Sequence, residues 1–172
     1  MGMNWDEYFL KVCKVVASNS KCLSRQIGAI IVKDKSIIST GYNGPPRGVS
    51  HCGERYYNDD LISKKLIEKG CKIINETECP RRALGYKSGE GLDICIASHS
   101  ERNCIVNAAR HGISIKGGIL YANCPIPCSP CLVEIINSGI EEVVVTDLST
   151  YDSMGEWLVK ESKLKVRKFG SE

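Results

Sequence analysis

Residues 124–131 read Cys-Pro-Ile-Pro-Cys-Ser-Pro-Cys, and the stretch that follows, LVEIINSGIEEVVVTD, has the apolar pattern of a helix and then a buried strand. Cys128 and Cys131 therefore fall three apart where a helix begins, and that spacing sets both sulfurs on one side of its first turn. A helix N-terminus carries unpaired N–H groups and a partial positive charge. Thiolates are favoured there and their pKa falls. Pro130 costs the turn little, because its missing N–H would have had no intrahelical partner, though it also leaves one donor fewer for a sulfur. Three chemistries use such a pair: a disulfide, a redox dithiol, or metal ligation.

The remainder of the chain weighs these against one another. Ten cysteines in 172 residues would suggest a disulfide frame in a small secreted domain, but this length supports a core without staples. The opening stretch, MGMNWDEYFLKVCKVVASNS, carries early acids and helical periodicity and does not read as a secretory leader, so a cytoplasmic location with reduced thiols is expected. Clustered cysteines in that setting point to metal or catalysis. No apolar run approaches the ~20 residues of a membrane span. A net charge of +3 is too weak to argue for nucleic acid.

Apolar residues at Trp5, Tyr8, Phe9, Val12, Val15 and Val16 predict a helix capped by Asn4. IGAIIVK and SIISTGYN, separated by Asp34 and Lys35, predict a hairpin. GPPRGVSHCG is a loop, and an insert over about 53–97 shows no clean strand, with a helix expected in YYNDDLISKKLIEKG. Helices in HSERNCIVNAARHG, CSPCLVEIINSG and SMGEWLVKES then alternate with strands in GGILYANC, EEVVVTD and LKVRKF. A hairpin followed by βα units predicts an α/β fold with a mixed sheet of about five strands, helices on both faces and a single domain over 1–172.

His99 and Glu101 open one predicted helix as Cys128 and Cys131 open another. Two residues apart is about 200° of helix, so His99 and Glu101 reach a common point only off the helix end, at different depths. His99 as third ligand to the cysteine pair leaves a tetrahedral zinc one open corner, the catalytic arrangement. Zinc lowers the pKa of bound water towards ~7. A carboxylate at that corner, Glu101, can move protons.

HSE with PCSPC about thirty residues later resembles the H-x-E…P-C-x-x-C signature of zinc-dependent nucleoside and nucleotide deaminases. SKCLSRQIGAIIVKD, STGYNGPPRG, HC, SGEGLDIC and HSERNCIVNAARHG are similar to the deoxycytidylate deaminase branch, over roughly residues 5–147. The resemblance implies a three-layer α/β/α cytidine-deaminase-like fold and hydrolysis of deoxycytidine monophosphate (dCMP) to deoxyuridine monophosphate (dUMP), feeding thymidylate synthesis. His99, Cys128 and Cys131 would hold zinc, and Glu101 would shuttle protons. Asn43 would contact the sugar, and Ser24, Arg25 and Tyr151 the phosphate. Homo-oligomers, commonly hexamers, activated by dCTP and inhibited by dTTP are implied as well, with the Gly41–Gly48 loop (Gly44, Arg47) and Arg110 as places for a regulator. Cys22, Cys52, Cys79 and Cys95 match positions where some relatives bind a structural zinc, which would order an insert lacking a core of its own; His51 is a substitute ligand. The sequence departs from the pattern at Ser100, where alanine is usual, at Cys104 and at Arg102.

Each assignment has a plainer competitor. Asn43 precedes Gly44 and suits a turn; Tyr151 could cap a core; Arg25 could be a surface charge. His111 beside Gly112 suits a helix C-terminus. Cys13 and Cys104 read as buried helix residues, and Cys71 and Cys124 have no assignment. Two rival functions remain: a deaminase acting on dCTP or on a tRNA adenosine, and a zinc-stabilised binding module without turnover.

Overall fold

The computed structural model describes residues 2–71 and 76–170. Along the chain these form α1 (Trp5–Ala17), β1 (Gly28–Lys33), β2 (Ser36–Tyr42), α2 (Arg55–Asn58), α3 (Asp60–Glu68), α4 (Pro80–Ala83), a 3-10 turn (Leu92–Ile94), α5 (Ser100–Arg110), β3 (Ile119–Ala122), α6 (Ser129–Asn137), β4 (Glu142–Val145), α7 (Ser153–Glu161) and β5 (Lys165–Lys168). They cluster into two compact units: residues 1–20, 27–43 and 99–172, and residues 21–26 with 44–98.

The first unit holds a five-stranded sheet in the order β2-β1-β3-β4-β5. β1 runs antiparallel to both β2 and β3, whereas β3, β4 and β5 are parallel, so the sheet is mixed as expected. Successive residues of β1 point to opposite faces. Ala29 and Ile31 join Leu120, Ala122, Val143 and Val145 beneath α5 and α6, while Ile30 and Val32 join Tyr121 and Val144 beneath Phe9 and Cys13 of α1. Both faces of β1 are thus covered, which explains its unbroken apolar run. Cys13 and Cys104 are fully buried helix thiols, bonded to the carbonyls of Tyr121 (3.4 Å) and Ala29 (3.0 Å).

Asp34 and Lys35 close the hairpin with φ of 49° and 59°, the left-handed pair of a type I′ turn, whose twist suits the strands. Asn4 caps α1 as expected, its Oδ1 accepting from the Asp6 N–H at 2.8 Å. Tyr121 donates to Asp6 at 2.9 Å, and Arg167 on β5 pairs with both Asp6 and Glu142. The Arg167 guanidinium, ahead of the Tyr121 hydroxyl, holds the Asp6 carboxyl below its usual range against the opposing effect of burial. Stability from this group is present above the unfolded carboxyl value of about 3.9 and is lost as pH falls through the lower native value. An Asp6→Asn variant is therefore expected to unfold at a lower temperature at pH 7 and to lose less stability than wild type on acidification below about pH 4. Thermal melts across pH check this, and parallel acid limbs in the two proteins would contradict it.

The second unit is helical. Asp59 splits the expected helix: its side chain accepts from the N–H groups of Leu61 (3.0 Å) and Ile62 (3.3 Å), capping α3, and pairs with Arg55 of α2 at 2.6 Å. Contrary to the expectation of a coreless insert, Tyr56, Ile62, Leu66, Leu84 and Ile94 form a buried cluster, with Cys71 packed against it. Residues 72–75 of the insert lie outside the described residues.

Candidate metal centre and active site

Two helices of the sheet-bearing unit begin at side chains that could hold a metal ion. His99 is the N-cap of α5 and Cys128 the N-cap of α6, both extended in backbone and neither making a side-chain cap hydrogen bond to a backbone N–H. Their side chains are thereby free to face each other. Cys131, in the first turn of α6, completes the group. His99 Nδ1 lies 3.3 Å from each sulfur, and the sulfurs are 3.6 Å apart. A tetrahedral zinc with ordinary bond lengths requires edges of about 3.6 Å (N to S) and about 3.8 Å (S to S), so the three atoms fit the ion with only small adjustments. Among the described residues this is the one group of three or more candidate ligands with all its atoms within 4.8 Å of one another.

The donor set is electrostatically prepared. The Cys128 thiol is pulled down to about 4, first by the hydrogen bond from Cys131 and, against burial, by His99. The same sulfur–sulfur bond, with burial and the Glu101 charge, pushes Cys131 up. The Cys128 thiolate in turn raises His99, opposed by burial.

Glu101 is 5% exposed, an unusual burial for a carboxylate. Ser100 Oγ donates to its Oε2 at 2.8 Å, and Cys124 Sγ stands 4.0 Å from its Oε1. Cys124, unassigned by sequence, thus lies against the carboxylate, and the serine that departs from the family pattern bonds to it. Outside the corner, Arg102 of α5 and Glu134 of α6 pair at 2.7 Å, joining the two ligand-bearing helices.

The other sequence-predicted residues are placed as follows. Asn43 is buried, and its Oδ1 accepts from Ser20 Oγ and from the Ile27 N–H, each at 2.8 Å, so this face of the amide organises the loop entering β1. Tyr151 is 46% exposed, in the loop before α7. In the second unit, the Ser24 carbonyl accepts from Arg82 at 3.3 Å, and Arg25 is exposed. Gly44 bridges to Ser98, Arg47 is exposed, and Arg110 lies exposed in the last turn of α5, followed by His111 at its C-cap. Burial, with the charges of Cys79 and Cys22, pushes Cys52 up to about 11, but Cys22, Cys52, Cys79 and Cys95 do not bring three ligand atoms within 4.8 Å of one another as the His99 group does. His51 Nδ1 is a buried polar atom without a hydrogen-bond partner among the described residues.

Sequence reasoning missed Asp152. Its Oδ1 caps α7, accepting from the Gly155 N–H at 2.6 Å, and its Oδ2 accepts from the Ser129 N–H at 3.2 Å, beside Cys128. Burial opposes ionisation of this carboxyl, but these N–H donors hold it below the usual range. An aspartate before the Ser-Met-Gly-Glu start of a predicted helix is a capping signal; its reach to a second helix leaves no trace in sequence.

A mixed sheet with two helix tips converging as His, Cys and Cys beside a buried carboxylate defines a zinc-binding protein of the cytidine-deaminase-like class. Residues 3–147 match the family model of the cytidine and deoxycytidylate deaminase zinc-binding region. The chain belongs to that family. The deoxycytidylate deaminase of Mycobacterium phage D29 is 33% identical over 82% of this chain and 93% of its own, and that of Schizosaccharomyces pombe is 31% identical over 96% of this chain. The chain spans less than half the length of the S. pombe and Saccharomyces cerevisiae relatives, 44% and 46%. The fold is shared with the dCMP deaminase of cyanophage S-TIM5, solved with dCMP and dUMP, at a TM-score of 0.65 and 22% identity over 98% of each chain.

Proposed function

We propose that this chain is a zinc-dependent enzyme that hydrolyses dCMP to dUMP and ammonia. The observation that carries the reading is the buried Glu101 carboxylate beside a three-ligand His99–Cys128–Cys131 corner. A purely structural zinc would be closed by a fourth protein ligand and would need no base next to it, which disfavours a binding module. The bound ion supplies Lewis acidity that makes water nucleophilic at neutral pH. His99, Cys128 and Cys131 would hold it. Glu101 takes a proton from the attacking water and delivers it to the ring nitrogen; it then takes the second proton, from the hydroxyl now on carbon 4, and passes it to the amine, which leaves as ammonia as the carbonyl forms and the C–N bond breaks. Burial keeps bulk water from competing for that carboxylate. Relatives named as deoxycytidylate deaminases support dCMP over dCTP or a tRNA adenosine. Ammonia release from a panel of cytosine nucleotides tests the reading: dCMP is expected to be the best substrate, and silence on every nucleotide would overturn it.

The finer assignments belong to the same reading. Asn43, Ser24, Arg25 and Tyr151 contact the sugar and phosphate; Gly44, Arg47 and Arg110 serve a dCTP or dTTP regulator; the enzyme works as a cytoplasmic hexamer and a single functional domain. No helix among the described residues is long and apolar enough to cross a membrane. A second, structural zinc would be held by Cys22, Cys52, Cys79 and Cys95, the positions that the family resemblance marks. Elemental analysis is expected to give about two zinc ions per chain and about one in Cys52→Ser; about one in both proteins would remove the second site.

A further inference from the structure

The first turn of α6 has a capping problem that follows from its metal ligands. An N-cap side chain ordinarily accepts from the N–H of the second or third helical residue. Here the N-cap is Cys128, whose sulfur faces His99 and Cys131 and makes no cap bond. The second position is Pro130, which has no N–H to offer. The Ser129 N–H, on the peptide joined directly to Cys128, is left to be satisfied from elsewhere. Asp152 Oδ2 accepts it at 3.2 Å, while Oδ1 of the same carboxylate accepts from the Gly155 N–H at 2.6 Å. One side chain thus caps two helices.

We infer that Asp152 is a positioning residue for the metal corner: it takes the otherwise unsatisfied Ser129 N–H and so fixes the Cys128–Ser129 peptide, holding the Cys128 sulfur toward His99 and Cys131. The inference rests on the reading of Cys128 and Cys131 as ligands. Outer partners that orient ligands typically contribute 10- to 100-fold in metal affinity or activity, and Asp152 acts one peptide away from the sulfur.

The test compares zinc release from the full-length, metal-loaded protein to a competing chromophoric chelator. The step belonging to this corner is the one missing from a Cys131→Ala reference. Asp152→Ala is expected to release that zinc at about 10-fold lower chelator concentration or less. Asp152→Asn keeps one acceptor for Gly155 and is expected to melt near wild type yet release zinc early, so it carries the test if the alanine variant does not fold. Asn4→Ala removes a cap of similar kind from α1, far from the metal, and is expected to release zinc as wild type does. Cobalt(II) substitution adds a second readout, with d–d bands altered in both Asp152 variants and unaltered in Asn4→Ala. Release within twofold of wild type with unchanged cobalt spectra in both Asp152 variants would overturn the inference alone. A wild type lacking the corner's release step would overturn the ligand reading, and the inference with it.

Discussion

Glu101→Gln is expected to lower kcat on dCMP by about a hundred- to ten-thousand-fold while leaving KM within a few-fold and zinc content unchanged. The glutamine keeps the size of the side chain and an acceptor for the Ser100 hydroxyl, which bonds to Oε2 at 2.8 Å. It cannot take up or deliver a proton in the working range. General acid–base catalysis by a placed side chain is worth about that factor, or roughly 3–5 kcal/mol of barrier. Because Glu101 lies beside the ligand set and outside it, the metal should stay. Steady-state kinetics with parallel metal analysis decide the matter. A variant with near-normal kcat would show that some other group carries the protons; loss of zinc together with activity would show that Glu101 is a ligand.

The second large effect concerns a residue with no side chain. Gly41 lies in β2, and a Cβ there would fall against the backbone of α5, on Ser100 O and Cys104 N, with the Asn103 carbonyl carbon 2.8 Å away. None of these atoms belongs to a flexible side-chain end that could swing aside. The collision falls on the first two turns of α5, which follow its N-cap His99 and contain Glu101. Overpacking of a close-packed site costs about 1–3 kcal/mol, occasionally more, and backbone obstruction places Gly41→Ala at the upper end. For a chain of this size about 3 kcal/mol is a drop of roughly 6–12 °C in melting temperature. Activity should fall beyond what the unfolded fraction explains, because the displaced turn carries the proposed base. Gly44→Ala is the natural contrast, since a Cβ there meets nothing within 4 Å and its φ is ordinary. Equal melting temperatures for the two variants would contradict the close approach of α5 to β2.

Much of this arrangement was legible in the residues. The continuous apolar run of β1 and the Asp34–Lys35 turn identified a hairpin with a buried inner strand, because periodicity and turn chemistry are local. The grouping of His99, Cys128 and Cys131 was legible for a similar reason: each half is a short motif at a helix start, and only their meeting required the fold. The insert was harder. Tyr56, Ile62, Leu66, Leu84 and Ile94 are spread across 39 positions with no sustained period, so their shared core emerges only in three dimensions. Asn43 illustrates the opposite limit. Its type and position suit both a turn and a ligand contact, and the structure shows that its Oδ1 bonds to Ser20 and Ile27. Asp152 and Cys124 carried no signal of their roles, because each acts on a residue at least 23 positions distant.

The central claim is that His99, Cys128 and Cys131 share one zinc whose fourth corner opens toward Glu101. Anomalous diffraction at the zinc edge from crystals of the loaded protein tests it directly. The expected map has a peak about 2.0–2.3 Å from His99 Nδ1 and from both sulfurs, with the remaining position filled by a solvent or substrate oxygen on the Glu101 side. A map without a peak at that corner, or with a fourth protein atom closing it, would contradict the account.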